Sequence, residues 1–71
     1  MTQIESTMAG TVFTVNVTEG EEVAAGQVVM VLESMKMEIT IETESAGKVA
    51  TINVQVGDFV NEHDLLVTLG E

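Results

Sequence analysis

The chain is an internal duplicate. Sliding it on itself by 37 positions (47 − 10) lays Ala9-Gly10-Thr11-Val12-Phe13-Thr14-Val15-Asn16-Val17 over Ala46-Gly47-Lys48-Val49-Ala50-Thr51-Ile52-Asn53-Val54. The register then continues without a gap, placing Gly20 on Gly57, Glu21 on Asp58, Val23 on Val60, Val28 on Leu65, Met30 on Val67 and Leu32 on Leu69. A fixed period marks each copy as one supersecondary unit that cannot bury its apolar face alone, so the halves must close on each other. In 71 residues this leaves room for one domain, residues 1–71, with half repeats at about 9–33 and 46–70. A domain of that size lies near the lower limit at which an apolar core holds without staples.

Within each half the apolar period is two, which predicts strands. Phe13, Val15 and Val17 share one face with Thr14 and Asn16 on the other. Ala50, Ile52 and Val54 repeat the arrangement opposite Thr51 and Asn53. Ile39 and Ile41 alternate with Glu38, Thr40 and Glu42, and Leu65, Val67 and Leu69 with Leu66 and Thr68. Val28 to Leu32 is apolar on both faces and reads as a central strand. A helix is the competitor there, because Val28, Val31, Leu32, Met35 and Ile39 also fit helical spacing. The β-branched Val28, Val29 and Val31, the continuation into Ile39-Thr40-Ile41, and the short repeat partner Leu65 to Leu69 favour the strand. Gly20 and Gly57 mark tight turns that need positive φ. Gly10 and Gly47 begin their strands, and His63 falls on Gly26, a turn position where His is better tolerated than a β-branched residue.

The segment Glu33 to Ser45 joins the two copies, and Glu33-Ser34-Met35-Lys36-Met37-Glu38 lies within it. Strands running up to Ser34 and away from Met37 make Met35-Lys36 a two-residue hairpin loop. Such loops need positive φ and favour Asn-Gly, so Met-Lys is poor turn chemistry. Local rules are broken preferentially at functional sites, where the surrounding sheet holds a costly conformation to present a side chain. A deprotonated lysine amine is a good nucleophile towards an activated carboxyl group, and its four-carbon stem gives an attached group reach. The bland alternative is a solvated surface charge beside methionines that fill the core. If a two-fold rotation relates the halves, Lys36 and the termini lie at opposite ends of the molecule.

Composition removes other classes of function. The formal net charge is −10, from twelve acids against Lys36 and Lys48, so nucleic-acid backbones and anionic membrane surfaces should repel the chain. Such acidity serves solubility or steers encounters with basic partner proteins. There is no Cys, so neither a disulfide framework nor a thiolate metal site is available. No basic, apolar signal segment opens the chain and no run is long enough to cross a bilayer, which makes a cytoplasmic, non-membrane domain the expectation. His63 adjoins Glu62 and Asp64, but there is no second His or Cys to complete a transition-metal set. Nothing resembles a catalytic triad, a phosphate-cradling loop or a carboxylate pair, so no catalysis is expected of the chain by itself.

Ser34-Met35-Lys36-Met37, set between two copies of a repeat, resembles the (Ala/Ser)-Met-Lys-Met signature of the biotinyl-domain family, and the likeness covers nearly the whole chain. The resemblance implies an all-β fold: a flattened barrel of two four-stranded antiparallel sheets with pseudo-two-fold symmetry, a barrel-sandwich hybrid. It implies biotin joined by an amide to Lys36, with Met35 and Met37 as apolar flanks read by partner enzymes and Glu33, Ser34 and Glu38 as hairpin context. The implied partners are a biotin protein ligase that acylates Lys36, a biotin carboxylase that loads the ureido ring, and a carboxyltransferase that passes carboxylate to an acyl-CoA or a 2-oxo acid. In such a scheme the cofactor carries the chemistry and a monomeric domain ferries it. The family commonly reads Pro-Met-Pro-Gly where this chain has Thr7-Met8-Ala9-Gly10, and Gly20 to Val28 leaves no room for the thumb some relatives insert. No Pro/Ala-rich linker precedes Ile4, so a free-standing domain and a piece of a larger carboxylase are both expected forms. The rivals are a lipoyl domain modified on Lys36, though lipoyl domains typically place Asp before that lysine, and an unmodified β-barrel interaction module.

Overall fold

The alternating stretches fold as strands, although those that begin around Phe13 and Ala50 end at Val15 and Ile52, short of Val17 and Val54. The computed structural model describes residues 2–70, which form eight strands: β1 (Thr2–Glu5), β2 (Gly10–Val15), β3 (Glu22–Val23), β4 (Val28–Ser34), β5 (Met37–Glu42), β6 (Gly47–Ile52), β7 (Phe59–Val60) and β8 (Leu65–Gly70). They build two four-stranded antiparallel sheets, in the orders β1-β8-β6-β3 and β5-β4-β2-β7. Adding four to each strand number, cyclically, turns one order into the other, so the duplication in sequence is a two-fold duplication in space. The repeat also reaches further upstream than residue identity reveals, because β1 is the counterpart of β5 and buried Ile4 that of buried Ile41.

The core lies between the sheets and obeys the same rule. Val12 and Val49, Val23 and Val60, Val29 and Leu66, Met30 and Val67, and Leu32 and Leu69 are buried in pairs related by the repeat. Each such side chain contributes about 1.5–3 kcal/mol on leaving water. Val28 to Leu32 is a central strand, as its composition predicts: β4 lies between β5 and β2, which cover its edges.

Simple alternation fails at four places, and each is a bulge. In β2 the register moves from Val12↔Leu32 to Thr14↔Val31, leaving Phe13 as the extra residue. In β6 it moves from Val49↔Leu69 to Thr51↔Thr68, leaving Ala50. A bulge turns one residue out of phase with its strand. Phe13 and Ala50, expected on the inward face, are therefore exposed. The other two bulges are in β4 and β8, where Val29 and Leu66 are the extra residues. There the effect is reversed: Leu66, expected opposite Leu65, Val67 and Leu69, is fully buried with Val67 and Leu69.

Loop contacts repeat as well. Ser6 and Thr43 are both buried polar residues. The Ser6 hydroxyl donates to the Met8 carbonyl and the Thr43 hydroxyl to the Ser45 carbonyl, at 2.6 Å in the second case. Gly26 N–H donates to the Thr43 carbonyl at 2.6 Å, and His63 N–H to the Ser6 carbonyl at 2.8 Å. Gly26 and His63 occupy equivalent turns with φ of 87° and 72°, so His63 stands where the duplicate uses glycine.

Candidate functional site: the β4–β5 hairpin

β4 and β5 pair in register as far as Glu33↔Glu38 and Ser34↔Met37, leaving Met35 and Lys36 as the turn. Their φ values are 53° and 66°. Positive φ at both central positions is the geometry whose twist matches a two-residue hairpin. Without the freedom of glycine, each residue in that region costs roughly 1–2 kcal/mol. Long, paired strands hold it there. The hairpin's symmetry counterpart is the open end of the β8–β1 pair, where Thr2 faces Leu69. The lysine and the described ends of the chain thus occupy symmetry-related positions.

All the side chains singled out in the sequence, Glu33, Ser34, Met35, Lys36, Met37 and Glu38, meet at this one hairpin. Lys36 is exposed. Met35 is 92% and Met37 67% accessible, so neither methionine fills the core. Their burial energy, about 1.5–3 kcal/mol each, is left unused. Glu33 and Glu38 face each other across the ladder, a like-charge pair that costs stability and sets an acidic base beneath the lysine. Behind that base Gly10 approaches so closely that a Cβ would stand 3.0 Å from the Glu33 carbonyl oxygen.

His63 does not join the hairpin. It is anchored by its turn, with Nδ1 3.6 Å from Glu5 Oε1 and Nε2 3.9 Å from Glu62 Oε2. Among the described residues no three His, Asp or Glu side chains converge as a metal site would require.

Alternation alone misses one feature of the site's surroundings. Phe13 and Phe59, the only aromatics, are 48% and 65% exposed on the sheet that carries Lys36. The repeat held the signal, since their counterparts are Ala50 and Glu22, residues that no core requires.

Two duplicated four-stranded sheets that set an exposed lysine at a hairpin turn define a small all-β domain of the barrel-sandwich class. The family model for biotin and lipoyl attachment, described as "Biotin-requiring enzyme", matches residues 2–69. The chain belongs to the biotin/lipoyl attachment family. It is 47% identical over 62 residues to a biotin/lipoyl attachment protein of Bacillus subtilis, covering 87% of this chain and 85% of that one. It is 42% identical over 66 residues to the mitochondrial propionyl-CoA carboxylase alpha chain of Homo sapiens, covering 93% of this chain but 9% of that one. Among solved structures, Kluyveromyces lactis urea carboxylase matches with a TM-score of 0.91 at 29% identity, over 97% of this chain and 6% of that one. The lipoyl domain of the Azotobacter vinelandii 2-oxoglutarate dehydrogenase complex matches with a TM-score of 0.80 at 29% identity, over 97% and 95%. Homologous domains therefore sit within carboxylases, and the all-β fold expected from the sequence is the fold of the lipoyl and biotinyl domains.

Proposed function

We propose that the chain is a biotin carrier acylated on Lys36, and that the carrier itself catalyses nothing. The observation supporting this most directly is the placement of that amine at an exposed hairpin turn between two solvent-facing methionines. A ligase supplies biotin with its carboxyl activated by ATP; the neutral Lys36 amine attacks the acyl carbon, the amide forms, AMP leaves and the amine's proton passes to solvent or a base of the ligase. Held on Lys36, biotin would supply a ureido nitrogen able to carry carboxylate from a biotin carboxylase to a carboxyltransferase that serves an acyl-CoA or a 2-oxo acid. The chain's own task is positional. The rigid barrel holds the hairpin, and the lysine stem swings the group between active sites at high effective concentration.

Biotin is preferred over lipoate because Met35 and Met37 flank the lysine and because the similar chains include carboxylases. Lipoate remains the second reading on the strength of the matching lipoyl domain. Cytoplasmic carboxylase subunits are the proposed partners. Streptavidin blotting after incubation with biotin protein ligase, ATP and biotin tests the assignment. Wild type and Lys48→Arg are expected to label and Lys36→Arg to stay blank; labelling of Lys36→Arg contradicts it.

A further inference from the structure

Phe13 and Phe59 lie close together. Phe59 is the cross-strand partner of Thr11, Phe13 follows two residues along β2, and Val56, also exposed, precedes Gly57, whose N–H donates to the Val12 carbonyl. The duplicate of this surface is an internal control. At the positions equivalent to Phe13, Val56 and Phe59 it carries Ala50, Glu19 and Glu22 on the same backbone. The fold is thus satisfied without apolar residues here, and a clustered apolar patch on a surface this acidic calls for a partner.

The patch shares the outer face of its sheet with the lysine hairpin. One cross-strand row on the outer face runs Phe59, Thr11, Glu33, Glu38, and Glu38 is two residues from Lys36. That row crosses three inter-strand gaps, about 14 Å in all. A standard interface covers about 800 Å² per partner, roughly 30 Å across, and so includes both the hairpin and the patch. An enzyme acting at the end of an attached arm can stand off from the sheet. An enzyme that forms a bond to Nζ itself must come down onto the hairpin and its acidic base. A second copy fits poorly, since it would bring two rows of Glu33 and Glu38 together on chains that each carry a net charge of −10.

We propose that Phe13 and Phe59 are docking residues for the enzyme that acylates Lys36, which presents an apolar socket for the two rings and basic side chains opposite Glu33 and Glu38. The proposal rests on the carrier reading. Its test is steady-state acylation by biotin protein ligase with ATP and biotin, comparing wild type, Phe13→Ser/Phe59→Ser, the conservative Phe13→Leu/Phe59→Leu, and the duplicate-side control Ala50→Ser/Glu22→Ser. Removing two aromatic anchors is expected to raise KM for the carrier about tenfold or more with kcat unchanged, while the control stays at the wild-type value and the leucine variant regains most of the loss. Thermal melts establish that each variant is folded. A serine variant that melts like wild type and keeps its KM within about twofold overturns the docking proposal and leaves the carrier reading standing. No acylation of wild type at Lys36 overturns both. A wild-type dimer in sedimentation that the serine variant abolishes assigns the patch to self-association instead.

Discussion

Gly10 and the carbonyl of Glu33 are in such close contact that one added methyl group would press on the base of the lysine hairpin: the Cβ would stand 3.0 Å from the oxygen. Gly47, the duplicate of Gly10, has a looser fit, with its Cβ position 3.2 Å from the carbonyl of Gly70 near the end of β8.

Gly10→Ala should therefore destabilise more than Gly47→Ala. Overpacking costs about 1–3 kcal/mol, and the lower entropy of the unfolded alanine chain returns about 0.4–1 kcal/mol. A net loss of about 1 kcal/mol or more is expected for Gly10→Ala, against at most about half that for Gly47→Ala, where the last residues of a strand can shift. Urea midpoints of the two variants measure the difference, and equal midpoints would show that β4 yields as easily as β8.

The hairpin loop sacrifices stability for the lysine. Replacing Met35 and Lys36 by Asn and Gly supplies residues suited to φ of 53° and 66°. The double variant should gain about 1–2 kcal/mol and lose all acylation. Thermal unfolding reads the first effect and streptavidin binding the second; an unchanged melting temperature would mean the turn is unstrained.

His63 holds a left-handed turn at φ of 72°. His63→Asn should leave stability within about 0.5 kcal/mol, because Asn tolerates that region. His63→Val should cost about 1–2 kcal/mol, because a branched Cβ does not. Denaturant titration of the pair decides it, and equal stabilities would place the side-chain contacts with Glu5 and Glu62, rather than the backbone, in control.

The bulges make a contrast that strict alternation would reverse. Leu66 is fully buried and Phe13 half exposed. Leu66→Ala should cost about 2–5 kcal/mol and Phe13→Ser about 0.5 kcal/mol or less. Calorimetric midpoints that reversed this order would place Phe13 in the core.

The fold was legible because the chain states it twice. Gly20 with Gly57, and Val12 to Leu32 with Val49 to Leu69, mark two equivalent halves, each of which supplies strands to both sheets. The hairpin was legible because Met35-Lys36 is a turn that turn chemistry alone would not choose. What alternation could not reveal were the bulges, since an extra residue in a strand leaves no mark on composition while reversing the facing of Phe13, Ala50 and Leu66. The pairing of β1 with β8 was also hidden, because Thr2-Gln3-Ile4-Glu5 shares only the spacing of its isoleucine with Ile39-Thr40-Ile41-Glu42 and the acid that follows it. The exposed patch beside the hairpin could be inferred only from asymmetry, where Phe59 stands in one copy and Glu22 in the other.

The most direct measurement is intact mass with peptide mapping after parallel incubation of the chain with biotin protein ligase plus biotin and with lipoate protein ligase plus lipoate, each with ATP. The biotin-carrier account predicts a gain of one biotin less one water, on the peptide bearing Lys36 and not on the one bearing Lys48. A lipoyl adduct in place of the biotinyl one, or acylation at Lys48, would contradict it.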